Sequence, residues 1–282
     1  MSWRFYSDKF KCYCCVIQKK PIFAITMEQG KNIYFASDFH LGFPNDEESR
    51  VRELTIISWL DYIKPTCGEL YLLGDVFDFW FEYKWVAPKG YIRLLAKLAD
   101  FSESGIPVHI FSGNHDLWYG DYLTKEIGAI IHTAPEIREY FGKRLFIHHG
   151  HALGKYDKGM VFLDAVFSSK FLQWCFKFVP VNWAFGFAHA WSTHNRNAKV
   201  YESANYLGDE KEFLLIFAKE KLQTEHYDFF IFGHRHVAVD KVITDNSRYI
   251  NTGNWITNST YAVLSEQGME VLSFKGGDQI VR

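Results

Sequence analysis

Apolar and polar positions fall into blocks along most of this chain, and the blocks follow two different periods. From Lys31 onward, NIYFASD is a short run of apolar, β-favouring residues and predicts a buried strand. ESRVRELTIISWLDYI reads as an amphipathic helix. ELYLLGD predicts a second strand, YIRLLAKLADFSESG a helix closed by glycine, and PVHIFSGNHD a third strand running into a polar loop. RLFIHHG and YDFFIFGHRH predict a fourth and a fifth strand, and RYINTGNW, YAVLSEQ and EVLSFK shorter ones. Strands that first alternate with helices and then follow one another predict a layered α/β domain. Neither an internal repeat nor a low-complexity segment interrupts the pattern.

Each of the five main strands ends in polar residues. Asp38 and His40 follow the first, Asp75 and Asp78 the second, and Asn114, His115 and Asp116 the third. His148, His149 and His151 follow the fourth, and His234 and His236 the fifth. In open α/β sheets ligands bind beyond the carboxyl ends of the strands. The five segments are therefore expected to deliver their groups to one edge of the sheet. Alternate residues of an extended segment share a face, so a loop leaving a strand can aim both His234 and His236 at one point.

Mixed carboxylate, imidazole and amide donors suit Mn, Fe, Zn and similar ions rather than calcium alone. No cysteine lies in these loops, which excludes a structural thiolate zinc site. Seven ligands are too many for one ion and fit two; two ions about 3.5–4 Å apart clamp the attacking and leaving oxygens of a phosphoryl displacement and lower the pKa of a bridging water. Asp75, whose carboxylate has two oxygens, is the expected bridge. A lone Asp-x-His or His-x-His is more often an ordinary loop, but five polar clusters in order, each after an apolar strand, argue against coincidence.

Composition narrows the class. The chain has 282 residues, a formal net charge of −2 and 48% hydrophobic residues. That fits one large domain or two small ones with an ample core, without the basic excess of a protein that coats nucleic acid. No run of 18 apolar residues predicts a transmembrane helix. Five cysteines, an odd number, do not form a disulfide framework and point to a reducing, cytoplasmic setting. Residues 1–26, with Cys12, Cys14 and Cys15, lack a helical period and a clear cleavage site. They read as an unstructured extension or an over-called start before Met27, with metal binding or lipidation of the cysteines as the sharper alternative. The domain is expected over 27–282.

DFH, GDVFD, GNHD, HHG and GHRH resemble the motif series of the calcineurin-like metallophosphoesterases, over about residues 31 to 260. The resemblance implies an α/β fold, a β-sandwich flanked by helices, around a dinuclear site. By motif position one metal would take Asp38, His40, Asp75 and His236, and the other Asp75, Asn114, His149 and His234. His115 would sit near the leaving group as the catalytic residue. Asp78 is expected to hydrogen-bond behind the ligands, and His148 and His151 to pack or support them.

The segment between HHGHALGKYD and the fifth strand is the informative insertion, expected as a helical cap over 152–210. Residues 162–191 contain ten aromatics, and their only Asp, Glu, Lys or Arg residues are Asp164, Lys170 and Lys177. Lys155, Lys158, Arg196 and Lys199 flank them. Two readings stay open: a helical subdomain whose aromatics form its own core, or an apolar cap with a basic rim that holds acyl chains and touches an anionic membrane surface.

SDFHLG, YLLGDVFDFWF, RLFIHHGHALGKYDKG, STHNRNAK and NTGNW resemble a narrower group, the UDP-2,3-diacylglucosamine diphosphatases of lipid A synthesis. That resemblance implies cleavage of an acylated UDP-sugar to UMP and the acylated sugar 1-phosphate, with two divalent ions, Mn2+ foremost. It further implies a peripheral position on the inner face of the membrane and no nucleic-acid partner. Asn195, Arg196 and Lys199 would sit at the polar edge of the cap near the sugar or phosphates, and Asp157 would hydrogen-bond the sugar. Two positions depart from the narrower pattern: GNHD stands for G-N-R-D, and HGH for H-G-D. The alternative is a phosphoesterase of the same family acting on another nucleotide, phosphoprotein or lipid-linked phosphate ester.

Overall fold

The computed structural model describes residues 30–153, 166–186, 205–275 and the backbone of 280–281. The expected extension 1–26 lies outside the described residues, as do Asp157, Asn195, Arg196 and Lys199.

The described strands form two sheets. In the larger, β1 (Asn32–Ala36), β2 (Cys67–Leu72), β3 (Val108–Phe111) and β4 (Ile130–His132) run parallel. On the other side of β1 the sheet continues antiparallel through β10 (Thr260–Ser265), β11 (Gly268–Phe274) and β12 (Ile280–Val281). The smaller sheet has β5 (Glu136–Tyr140), β6 (Lys143–Ile147), β7 (Phe229–Phe232), β8 (Ala238–Thr244) and β9 (Ser247–Thr252), in the order β5-β6-β7-β9-β8. Here β6, β7 and β9 are parallel neighbours.

The five site-bearing strands thus do not share one sheet edge, as the sequence pattern had led us to expect. β1, β2 and β3 belong to the larger sheet, β6 and β7 to the smaller. The sheets stack: Ile33, Phe35, Tyr71 and Phe111 of one join Leu145, Ile147, Phe229, Ile231 and Ile250 of the other in a single buried cluster. Alternate residues face outward. Tyr34, Leu70 and Leu72 meet α1 (Asp46–Ile63), α2 (Ile92–Glu103) and α3 (Tyr122–Ile127) through Trp59, Leu98 and Leu123. Phe230 and Phe232 meet α5 (Phe213–Leu222) through Leu214 and Phe217. Both faces of these strands are buried, which is why they read as continuous apolar runs. Between them in the chain lies α4 (Lys170–Phe176), within the aromatic insertion, with a further short helix at 181–186.

α1 starts where the sequence dictates. Asn45 accepts a hydrogen bond from the Glu48 N–H at 2.9 Å, and Asp46, Glu47 and Glu48 oppose the positive end of the helix dipole. Six labelled elements were not legible from the sequence: α3, β4, β5, β8, α5 and β12. In α5, FLLIFAKEKL packs apolar residues around most of its circumference, so no helical period emerges. β8 is an edge strand that alternates only between exposed and half-buried positions.

One buried polar network lies in the sheet stack. Glu69 accepts from the hydroxyls of Tyr140 at 2.6 Å and Tyr71 at 3.1 Å, and from His109 Nε2 at 3.1 Å. Burial pushes the Glu69 carboxyl up, but hydrogen bonds from His109 and Tyr140 and the nearby His109 charge outweigh it and hold the group below its ordinary value. A depressed folded-state pKa contributes stability above the unfolded value, lost as pH falls through the folded one. Glu69→Gln should therefore lower the unfolding free energy at pH 7 by about 1–3 kcal/mol. The gap to wild type should narrow below about pH 4. Urea unfolding at neutral and acid pH checks both statements.

Candidate metal centre

The donors sit on loops that leave the strand ends, and the backbone there is unusual. Asp38, His40, Asp75, His234 and His236 all have left-handed φ, between 45° and 69°. Such a conformation costs a residue with a Cβ roughly 1–2 kcal/mol, so each must be held. The loops hold one another: Asp38 N–H donates to Gly74 O at 3.1 Å, His40 N–H to Asp75 O at 2.9 Å, and Trp255 N–H to Asp38 O at 3.1 Å. His234 N–H donates to Asp38 Oδ2 at 3.0 Å. Gly113 and Gly233 allow this approach, since a Cβ on either would collide with the carboxylates of Asp75 and Asp38 respectively.

Two buried ionic groups, Arg52 and Asp116, brace the loops from behind. Arg52, on the buried stripe of α1, donates to the carbonyls of Phe39 at 3.3 Å and His40 at 3.2 Å, and to that of Phe43. Asp116 accepts from the N–H groups of Asp75 (3.1 Å), Val76 (2.8 Å), Phe77 (3.2 Å) and Gly113 (2.7 Å), and from the Tyr119 hydroxyl. It therefore staples the loop after β2 to the loop after β3. Burial and the neighbouring Asp75 charge push its carboxyl up to about 6, against the hydrogen bonds it accepts.

The side chains converge. One donor atom each from Asp38, His40, Asp75 and His236 lies within 4.8 Å of all the others. His236 Nε2 is 3.1 Å from both Asp38 Oδ1 and His40 Nε2, and Asp75 Oδ2 is 3.6 Å from His40 Nε2. The same Asp75 oxygen is 3.6 Å from His149 Nε2, which is 3.2 Å from Asn114 Oδ1. His234 Nδ1 lies 2.8 Å from that Asn114 oxygen. The seven side chains thus form two groups that meet at Asp75.

The electrostatics fit cations. Burial drives the pKa of His149 down and that of His234 well below its ordinary value, which leaves neutral imidazoles with a lone pair to donate. His149 Nδ1 donates to Leu73 O at 2.7 Å, so Nε2 is the unprotonated nitrogen turned to Asp75 and Asn114. Burial works to raise the Asp38 pKa, but the His236 charge and the hydrogen bonds from His236 and His40 outweigh it and hold the carboxyl well below its usual range. Buried carboxylates, neutral imidazoles and an amide oxygen make a donor set suited to borderline divalent ions.

His115 stands at the rim. Its N–H donates to Asp75 Oδ1 at 2.9 Å, its Nδ1 lies 3.3 Å from Asp78 O, and its ring meets that of His40 edge-on at 5.1 Å. Asp78 Oδ1 lies 3.9 Å from both His40 Nδ1 and His115 Nδ1, behind the donors. His148 is turned away: its Nδ1 accepts from Gly150 N–H at 3.0 Å. His151 packs 5.3 Å from the His149 ring. Sequence reasoning missed Arg52 and gave Asp116 no role. The available signal for Arg52 was a cation at a position where the α1 apolar stripe calls for burial.

The aromatic insertion adjoins this centre. Phe176 packs on Phe81 and Trp118, each at 4.7 Å, Phe185 on Phe79 at 5.1 Å, and Phe167 on Trp118 at 5.6 Å. Trp118 Nε1 donates to Phe167 O at 2.6 Å, and the Tyr83 hydroxyl to Val179 O at 3.1 Å. Phe79 directly follows Asp78, and Trp118 stands two residues after Asp116. On the other side Phe171, Trp174, Phe178 and Trp183 are each more than half exposed, with Trp174 edge-on to Phe178 at 4.8 Å. Among the described residues, the insertion's aromatics therefore do not close into a core of their own.

Residues 31–238 match the family described as calcineurin-like phosphoesterase. This chain belongs to that family. A UDP-2,3-diacylglucosamine hydrolase of Porphyromonas gingivalis is 35% identical over 243 residues, 82% of this chain and 93% of the relative. Proteins of the same name from Histophilus somni and Escherichia coli are 23% and 26% identical, over 86% and 73% of this chain and 100% and 85% of theirs. This calcineurin-like phosphoesterase is thus a hydrolase of the metallophosphoesterase class, and the family implies divalent metal ions. Among its described residues no helix is long and apolar enough to cross a membrane.

Asp75 belongs to both donor groups, so Asp75→Ala should abolish turnover and lower bound metal at both positions. His149→Ala should remove mainly one ion. Metal content per chain, measured by plasma mass spectrometry after gel filtration, separates the two outcomes.

Proposed function

We propose that this phosphoesterase hydrolyses the diphosphate of UDP-2,3-diacylglucosamine to UMP and 2,3-diacylglucosamine 1-phosphate. The observation that carries the reading is the seating of an aromatic, acid-free helix, α4, against Phe79, Phe81 and Trp118 beside the donor set. The Porphyromonas gingivalis relative, named for that substrate and matched over nearly its whole length, supports it. Two divalent ions, Mn2+ foremost, would supply a Lewis-acid clamp on the diphosphate and a nucleophile from water at neutral pH.

The chain's own residues do the rest. Asp38, His40, Asp75 and His236 would hold one ion, and Asp75, Asn114, His149 and His234 the other. His115 lies at the open side of the centre, where it can donate to a leaving oxygen or stabilise phosphoryl charge. A sugar phosphate or UMP already leaves well, so its proton contributes little. The exposed aromatics of 166–186 offer acyl chains an apolar bed, at about 0.8 kcal/mol per buried CH2. Part of that energy positions the diphosphate over the ions. Asp157, Asn195, Arg196 and Lys199 are proposed to meet the sugar and phosphates. The protein would be one domain over 27–282 with a cap at 152–210, working in the cytoplasm at the inner face of the membrane. His115, standing where the narrower group carries Arg, favours a second reading: a phosphoesterase acting on another nucleotide or phosphate ester.

Purified protein with Mn2+ and a panel of acylated and plain UDP-sugars should release UMP from the acylated ones. Removing the acyl chains should lower kcat/KM by about two orders of magnitude or more. Polar replacement of Trp174 and Phe178 should slow only the acylated substrate. Equal cleavage of acylated and plain UDP-glucosamine would remove the lipid reading. His115→Ala should lose less activity than Asp75→Ala, and His115→Arg should keep most of it if the role is electrostatic. A loss as complete as that of Asp75→Ala would favour the second reading.

A further inference from the structure

Arg235 separates the two histidines of GHRH, and its side chain turns away from the donors. Nε donates to Glu212 Oε1 at 2.7 Å and Nη2 to Oε2 at 3.4 Å, a two-pronged pair whose carboxylate is fully buried. The residues on either side, His234 and His236, have φ of 69° and 54°. The loop lies beyond the end of β7, and its local backbone contact is Arg235 N–H to Gly233 O at 2.8 Å. A segment with two left-handed residues and so little local bonding needs an external anchor to keep one shape.

Glu212 supplies that anchor from the N-terminal end of α5, where it is the N-cap residue. The next two residues reach the same region. The Phe213 ring stands edge-on to His234 at 6.0 Å. Leu214 packs against Gly150, the neighbour of His149, so closely that a Cβ there would stand 3.0 Å from it. The start of α5 therefore touches both histidine-bearing loops of the smaller sheet. His236 is also tied by Asn254 Nδ2 to its carbonyl at 2.7 Å, and His234 by its own N–H to Asp38 Oδ2 at 3.0 Å; the α5 junction adds a contact to the His234 ring itself.

We propose that the Arg235–Glu212 pair is a positioning device: it sets where His234 points and thereby the affinity of the cation position that His234 shares with Asn114, His149 and Asp75. The proposal rests on the reading that these side chains hold two divalent ions, and its test reads metal binding and folding rather than turnover of a lipid.

Arg235→Met alone leaves a buried carboxylate without its partner and can prevent folding. The informative variant is the double replacement Glu212→Leu with Arg235→Met, because exchanging a buried pair for apolar residues is often tolerated. Arg235→Lys, which keeps the charge but loses the fork, and Glu212→Gln serve the same purpose should the double variant not fold. Mn2+ titration calorimetry on metal-free protein, with thermal melting in EDTA, gives the two readouts. The expected result is a double variant that melts within a few degrees of wild type in EDTA while one of its two Mn2+ equivalents binds about tenfold or more weakly, in the range seen when partners behind metal ligands are removed. The other equivalent should change little, and Arg235→Lys should fall between. Wild-type affinity for both equivalents in a folded double variant, Arg235→Lys or Glu212→Gln would overturn the proposal and leave the pair a structural tie. A wild-type chain that binds fewer than two equivalents would instead remove the two-ion reading, and this proposal with it.

Discussion

The strand ends of this protein must keep carboxylates and imidazoles buried together without leaving a charge uncompensated. Asp38, Asp75 and Asp116 are almost wholly buried, as are His40 and His149. An ionised group taken out of water costs several kcal/mol unless it is paired or hydrogen-bonded. Asp116 meets that cost with backbone N–H groups and a tyrosine hydroxyl. Asp38 does so with His236, His40 and the His234 N–H. What remains is a group of carboxylate and imidazole donors facing one another across 3.1–3.6 Å, an arrangement suited to divalent cations.

The stacked sheets make that convergence possible. Either sheet alone would present a row of loops along one edge. With one layer carrying β1, β2 and β3 and the other β6 and β7, loops approach from two sides and surround a point. Loops after β1 to β3 provide Asp38, His40, Asp75 and Asn114, while those after β6 and β7 provide His149, His234 and His236. Asp75 lies where the two halves meet. Arg52 in α1 braces the larger sheet's loops, and Glu212 at the start of α5 braces the smaller sheet's.

Much of this was legible in the residues. Runs such as NIYFA and FFIF announced buried strands because both faces are covered, and the polar residues that end them announced the donors. The structure brings those seven side chains together. The layering was not legible: nothing in RLFI or FFIF says whether its neighbour is β3 or β9, since pairing is decided between residues far apart in the chain. The braces were hidden for the same reason. Arg52 meets carbonyls up to thirteen residues away, Asp116 meets amides about forty residues back, and Arg235 meets a carboxylate 23 residues earlier. The insertion was readable as aromatic but not as divided, with Phe167, Phe176 and Phe185 turned to the site loops and Trp174 and Phe178 to solvent.

The donor geometry leads us to propose a centre of two cations joined by Asp75. Crystals grown with Mn2+ and measured at the manganese absorption edge test it most directly. Two anomalous peaks about 3.5–4 Å apart are predicted, one among Asp38, His40 and His236, the other among Asn114, His149 and His234, with an Asp75 oxygen between them. A single peak, or two that do not share Asp75, would contradict it.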